Sequence, residues 1–370
     1  MAPVVPLNIA FVGGGWIVRT VWLPLLREAG ARVVAAIDPD PGALAELTAL
    51  VPGLRTHAAL SGAALDGCDV AFICSPNACH VEQALQVLAL GLHVVVEKPA
   101  CFSAAQAERL IAASRAARRA VMVTAASSHR GDTAQLLATA RVGTLGQVQC
   151  IDASWRRRAG IPRPGSWFTD ERLAIGGSGA DLGWHLLEVA LGALDFPLVI
   201  DGQSRIIRPA GPATAMAQQH AAWRADSATG AAAIDVDTQL FASLRTATGA
   251  LVRLTTAWSS AQPADETALT LYGSEGEMRL VCTFGFSPNH SGRHELTLLR
   301  DGAAQALPCG EDRMLPYRRF VATMLAHLAA PWRDDSAETQ RIERQLRSLG
   351  SAMAVLYPQP LALPVAMEAA

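Results

Sequence analysis

"NIAFVGGGWIV", residues 8–18, decides how the first third of the chain is read. Ile9 to Val12 form an apolar run without alternation, the pattern of a strand buried on both faces. Three glycines follow, and a helical pattern then runs to about residue 28. Gly13 allows a tight turn. Gly15 has no side chain to keep a pyrophosphate away from the backbone where a helix begins, and Trp16 and Ile17 open that helix. The third position of this fingerprint, usually Gly or Ala, is Val18, so helix–strand packing is expected to be looser or shifted there. "AAIDPDPG", residues 35–42, ends a second strand on Asp38. A carboxylate there accepts from the two ribose hydroxyls of an adenosine and repels a 2′-phosphate. With Asp40 close by and no arginine directly after the strand, this predicts NAD, with NADP disfavoured. The competing reading is that Asp38 only caps the turn it shares with Pro39 and Pro41.

Working outward, apolar strands at 70–74, 93–97 and 121–125 alternate with helical stretches at 43–50, 78–90 and 104–117. That alternation predicts a parallel sheet with helices on both faces, an α/β Rossmann domain over 1–126. Beyond it, a strand at 147–155 and a helix at 180–193 precede five extended runs between 234 and 299, separated by glycine turns. They predict a second α/β domain, 127–357, with a large, mostly antiparallel open sheet. A terminal helix at 336–357 is expected to pack back on it. An Ala/Gly/Gln-rich insertion is expected at 209–233 and an aperiodic tail at 358–370.

Composition agrees with two cores: 51% of 370 residues are hydrophobic, and single cores stop growing at roughly 250–300 residues. A net charge of −2 offers no long-range field for nucleic acid or an anionic membrane. No apolar run is long enough to span a bilayer, and the lead before Leu7 is too short for a signal peptide, so a cytoplasmic protein is expected. Seven cysteines at irregular spacing read as free thiols. No Cys/His set has metal-ligand spacing, and a turn at Ser291–Gly292 separates His290 from His294, so no metal is expected.

The chain's 31 basic residues are 30 arginines and one lysine, Lys98, in "HVVVEKPACF", residues 93–102. It ends a parallel strand, where ligands meet such sheets. A compact ammonium stabilises a developing alkoxide in a way a planar, permanently charged guanidinium does not reproduce. In "GGSGADLGWH", residues 176–185, Asp181 and His185 are four apart and share a face if helical. A histidine suits taking the proton of a hydroxyl as hydride leaves the same carbon, with the carboxylate orienting it. The glycine run before the pair is expected to let backbone approach a ligand. The alternatives are a buried structural Asp–His pair and a lysine that survived by chance. "WRRRAGIPRPGSWF", residues 155–168, supplies Trp155, Arg157 and Trp167 as lids over a sugar ring or holders of a diphosphate, against the alternative of a solvated edge strand. Trp16 and Trp184 are read as pocket walls or as core aromatics.

The glycine turn, "CSPNACHVE" (74–82), "EKP" (97–99), "GGSGADLGWH" and "LYGSEGEM" (271–278) together resemble the Gfo/Idh/MocA oxidoreductases over roughly 8–357. The resemblance implies an N-terminal Rossmann domain and an open-sheet C-terminal domain that forms the subunit interface of homodimers or homotetramers. It implies cofactor contacts at Ser75, Pro76, Asn77, His80, Glu97 and Lys98, and a catalytic set of Lys98, Asp181 and His185. Arg130 matches loosely a position that often carries Arg or Asn. Glu188 replaces a second acid, usually Asp. The implied activity is hydride transfer between NAD and a secondary alcohol of a sugar, nucleotide sugar, cyclitol or aminoglycoside-like polyol. The bias toward arginine and alanine suggests a GC-rich genome, where such enzymes often serve antibiotic pathways. Two other readings stay open: NAD-assisted glycoside cleavage or a lyase or epimerase reaction on tightly held NAD, and a non-catalytic NAD-binding protein.

Overall fold

The computed structural model describes residues 6–209, 234–287 and 289–358. The expected insertion and tail therefore lie outside the described residues except for Pro209 and Pro358. Two compact units are present. One comprises the chain up to Cys101 with Ala105–Ala126 and Tyr317–Leu346. The other comprises Phe102–Ala104, Ser127–Pro316 and the residues from Arg347. Tyr317–Leu346, expected with the second domain, thus groups with the first.

The first unit holds six parallel strands: β1 (Asn8–Val12), β2 (Arg32–Ile37), β3 (Arg55–His57), β4 (Val70–Ile73), β5 (His93–Val96) and β6 (Val121–Val123). Their order is β3-β2-β1-β4-β5-β6. The order reverses between β1 and β4, and ligands of open parallel sheets bind outside the carboxyl ends at such a point. β3 was not foreseen; three residues on an edge leave too little apolar pattern. The helices are set by ordinary local signals. Asp40 caps Pro41–Leu50 by accepting from Gly42 N, with Pro41 at the first helical position. Val81, Ala84, Val87 and Leu88 turn inward from His80–Ala89, and Gly91 at φ 79° ends that helix. Val18 answers the expectation of shifted packing: it is fully buried, and the helix opens there into a π turn, Val18–Trp22.

The second unit is built on eight strands: β7 (Val148–Arg156), β8 (Val199–Ile207), β9 (Gln239–Thr246), β10 (Leu251–Ala257), β11 (Glu266–Gly273), β12 (Glu277–Cys282), β13 (Glu295–Arg300) and β14 (Ala303–Leu307). Their order is β14-β13-β12-β11-β7-β10-β9-β8, antiparallel except between β7 and β10. Two features were not visible in the sequence. β8 and β14 are edge strands with polar or alanine-rich sequences. β7 is interior, paired on both sides, so its Arg156 is not on an edge strand, while Arg157 and Arg158 follow the strand. Ile151, Ala153 and Trp155 of β7 face inward, where helix Trp184–Ala193 packs on β7 and β10. On β9 and β10, Phe241 and Leu251 remain 45% and 37% exposed while Leu240, Leu244, Val252 and Leu254 are buried.

The run 176–179 has a different purpose from the expected one. Gly176, Gly177 and Gly179 are buried, and the protein itself fills the space beside them. A Cβ on Gly177 would fall on the Asp237 carbonyl, one on Gly176 on the Tyr357 ring, and one on Gly179 against Leu240 and the Tyr357 hydroxyl. The Asp237 carboxylate accepts from Gly177 N (2.7 Å), Gly179 N (2.8 Å), Ser178 Oγ (2.9 Å) and the Tyr357 hydroxyl (2.8 Å). Burial, then Asp237 itself, pushes the Tyr357 hydroxyl well above its ordinary pKa, so it stays a donor. The glycines are required for backbone to pack on this buried acid, not for a ligand to approach. Gly177→Ala is therefore expected to destabilise the protein by about 3 kcal/mol or more through overpacking, read as a lowered midpoint in thermal unfolding. An unchanged midpoint would contradict the packing described.

Candidate active site

In the first unit, the residues expected to bind cofactor gather along the carboxyl edge of the sheet. Gly13, at φ 97°, sits where a Cβ would lie 2.6 Å from the Cys74 carbonyl, so only glycine joins the β1 turn to the β4 loop. Gly15 is exposed, with nothing within 4 Å of where its Cβ would be. Asp38 answers both readings made of it. Its Oδ1 accepts from Asp40 N (2.8 Å) and its Oδ2 from Gly14 N (2.7 Å). A carboxylate has about four lone-pair sites, so each oxygen keeps one for a ribose hydroxyl. The turn is capped and the acid is oriented by the same two bonds. An open Gly15, a helix start and a fixed acid after β2 together fit a dinucleotide.

Several other members of the expected set brace the loops at this edge. His80 is buried. Its Nδ1 lies 2.8 Å from the Pro99 carbonyl and its Nε2 2.9 Å from the Ser75 carbonyl, so the ring ties the loop after β4 to the loop after β5. Burial lowers its pKa against the raising pull of both carbonyls. Ser75 Oγ donates to Gln83 (2.6 Å), Asn77 is buried in a short 3₁₀ turn, and Pro76 precedes that turn. Glu97 accepts from Trp22 Nε1 (2.8 Å) on one oxygen and from Lys98 N (3.0 Å) on the other. Glu97 thus anchors the loop, and Lys98, followed by a cis Pro99, is held at its backbone with a partly exposed side chain. Trp16 and Ile17 are also partly exposed. Trp22, which the sequence reading missed, is buried and braces Glu97 from beside Phe72 and Phe320.

In the second unit, a π turn, Gly179–Gly183, leads into helix Trp184–Ala193, so the expected helix is present with a wider first turn. From 176 to 193 every residue is buried except Asp181 and His185. The pair therefore shares the one accessible face of this segment. His185 Nδ1 lies 2.9 Å from Ser127 Oγ, and its ring lies 5.9 Å from that of Trp155. Asp181 accepts from Trp258 Nε1 (2.9 Å), and Arg157 Nη1 stands 3.8 Å away. Glu188 is buried one turn beyond His185.

The substrate-side expectations fare less well. Trp184 has no exposed surface and Trp155 is 3% exposed, so neither is a pocket wall. Arg157 is buried and turned to Asp181 rather than outward. Arg130 is paired with Asp132 (2.6 Å) and lies over the Phe284 ring (4.8 Å), which packs edge-on to Trp155. Trp167, stacked on Phe168, remains partly exposed. Ser127 and Trp258 were not foreseen, since a serine in "AASSH" and a tryptophan after β10 carry no local signal. Asp237 left one: the second of two acids alternating with Ile234 and Val236 in "IDVDT", 234–238.

A parallel sheet with a dinucleotide edge, followed by an open-sheet unit presenting an Asp–His pair, defines an NAD-dependent oxidoreductase. The model of an oxidoreductase family with an NAD-binding Rossmann fold matches residues 7–125, and that of the GFO/IDH/MocA C-terminal domain matches 133–279. The chain belongs to the Gfo/Idh/MocA oxidoreductase family. It is 38% identical over 330 residues, 88% of this chain and 89% of the relative, to an Amycolatopsis mediterranei (strain S699) protein whose provisional name is UDP-kanosamine synthase oxidoreductase subunit. It is 35% identical over 131 residues, 35% of this chain and 37% of the relative, to the D-glucoside 3-dehydrogenase of Escherichia coli (strain K12). Its fold is shared with GenD2 from gentamicin A biosynthesis, solved with NAD (TM-score 0.70, 20% identity, 96% and 95% of the two chains). It is shared too with the WlbA dehydrogenase of Bordetella pertussis, solved with NADH and UDP-GlcNAcA (TM-score 0.68, 18% identity, 96% of each chain). No helix among the described residues is long and apolar enough to cross a membrane.

The Ser127 contact at Nδ1 orients the His185 ring. Ser127→Ala is expected to lower kcat about tenfold, the scale of one lost orienting hydrogen bond of about 1.4 kcal/mol, with NAD affinity unchanged in a fluorescence titration. A wild-type kcat would show that the ring does not depend on Ser127.

Proposed function

We propose that the protein oxidises a secondary hydroxyl, at ring carbon 3, of a UDP-linked hexose. The observation that carries the chemistry is the isolation of Asp181 and His185 as the accessible pair of an otherwise buried segment. The substrate class is supported by the UDP-sugar name of the relative aligned over most of both chains, and the carbon by the D-glucoside 3-dehydrogenase. The neighbour from gentamicin A biosynthesis supports a setting in antibiotic sugar formation.

In this reading the His185 imidazole takes the hydroxyl proton, with Ser127 holding the ring at Nδ1. Asp181, ionised, orients the ring or the neighbouring hydroxyl. The Lys98 ammonium donates to the reacting oxygen and stabilises the charge that develops there. Bound NAD supplies the hydride acceptor. Gly13, Gly15 and Asp38 hold its adenosine and pyrophosphate, and the loops braced by His80 and Glu97 hold the rest. Trp167 remains for the sugar side.

Incubation with NAD and UDP-glucose deuterated at C3 is expected to give deuterated NADH, detected by mass spectrometry. Lys98→Arg is expected to keep NAD affinity while losing hydride transfer by a hundredfold or more, about 2.7 kcal/mol. NADH that carries no deuterium refutes the carbon assignment, and an active Lys98→Arg refutes the role of the lysine.

The partner expectation is a homodimer or homotetramer through the open sheet. The outer face of β9 and β10, with Phe241 and Leu251 exposed beside Arg253 and Asp152, supports it. Phe241→Asp is expected to shift the protein toward monomer in light scattering coupled to size exclusion. An unchanged assembly, or a monomeric wild type, sinks this assignment.

A further inference from the structure

Arg157 is the one arginine of the segment 155–168 that is buried, and its surroundings fix it. Gly160 leaves it room, since a Cβ there would lie 2.8 Å from the Arg157 Cδ. Its backbone is fixed on both sides: Arg157 N donates to the Ala257 carbonyl (2.9 Å), and Ser260 Oγ donates to the Arg157 carbonyl (2.9 Å). The guanidinium lies 5.2 Å from the centre of the Trp155 ring, and the same indole lies 5.9 Å from the His185 ring. Nη1 is 3.8 Å from the Asp181 carboxylate, which also accepts from Trp258 Nε1.

This arrangement makes a buried, permanently charged cation a neighbour of both accessible residues, directly for Asp181 and across one indole for His185. A cation at this range favours the ionised form of a carboxylate and the neutral form of an imidazole. Both effects have the same sign for catalysis, because the base must be unprotonated before it can accept the hydroxyl proton.

We propose that Arg157 is the positioning residue of the pair. It holds Asp181 ionised and oriented and biases His185 toward the neutral base, and it does not bind substrate. The inference rests on the reading of His185 as the base. The other ionisable groups near the pair are Glu188, buried on the same helix, and the Arg130–Asp132 ion pair behind Phe284. Cys282 lies near Arg130, and burial pushes its thiol up to about 12, so it stays uncharged. Lys98, assigned to the same reaction, is identical in wild type and variants. None of these changes when Arg157 is replaced.

The test is the titration of the His185 imidazole by NMR in the NAD-loaded protein, with the signal assigned through His185→Gln. It needs no turnover, so it stands even if UDP-glucose is not a substrate. In Arg157→Gln the midpoint is expected to rise by about one pH unit, and in Arg157→Lys to stay near the wild-type value. With UDP-glucose, the acid limb of the kcat/KM profile is expected to move up with it, and kcat below that limb to fall while KM holds. A folded Arg157→Gln with an unmoved midpoint overturns the proposal, and a raised KM in that case reassigns the arginine to substrate binding. If Arg157→Gln does not fold, Arg157→Met carries the test, since it removes the charge and keeps an apolar stem. Its His185 midpoint is expected to rise in the same way. An unmoved midpoint there also overturns the proposal.

Discussion

The buried carboxylate of Asp237 is the constraint on which the second unit's chemistry depends. A lone buried carboxylate is very costly, so its four donors are obligatory, and each hydrogen bond to a charged group is worth about 1.5–3 kcal/mol. Two of those donors are backbone amides of Gly177 and Gly179, and a third is the serine between them. The acid thereby fixes the segment that enters the π turn carrying Asp181, and His185 follows one turn on. Asp237 and Tyr357 thus set the start of the segment that carries the pair, while Ser127, Trp258 and Arg157 touch the pair itself.

The first unit solves the same problem with different residues. A loop at the end of a parallel strand must be held still without filling the space a ligand needs. Asp38 ties the glycine turn to the turn after β2, and Glu97 ties the backbone of Lys98 to Trp22. His80 ties the β4 and β5 loops by their carbonyls. In each case the side chain's polar atoms face protein backbone or an indole. The neighbours that these anchors orient include the open Gly15, and Asp38 keeps lone pairs beyond its two backbone bonds.

That division explains what was legible in the sequence. The β1–glycine–helix unit, the acid after β2 and the continuous apolar strands follow local rules, so the parallel sheet and its cofactor edge could be read directly. The Asp181/His185 pair was visible by its spacing. Its supports were not, because Ser127, Arg157, Trp258, Asp237 and Tyr357 reach it from five separate stretches of chain, and nothing in their local sequence reports a contact made across a fold. The arginines of 156–158 stayed undecided in the sequence for the same reason. An edge strand and an interior strand with one polar face have the same alternation, and only the pairing of β7 on both sides separates them. The glycine run was misread because a glycine needed for a ligand and one needed for a buried acid look alike until the neighbour is known.

The use of cations follows from the same physics. A guanidinium keeps its charge under any physiological condition and forms a rigid fork, so it suits a fixed field, as at Arg157 beside Asp181, or a structural clamp, as at Arg130 on Asp132. Neither task requires a proton to move. A position beside a reacting oxygen asks for the opposite: a compact donor, on a flexible stem, whose proton can be shared as charge develops. In a chain that writes 30 of its 31 basic residues as arginine, the permanent charges are spent on architecture. The single lysine stands at the strand end where a parallel sheet meets its ligand, the kind of position at which arginine's permanence would be a defect.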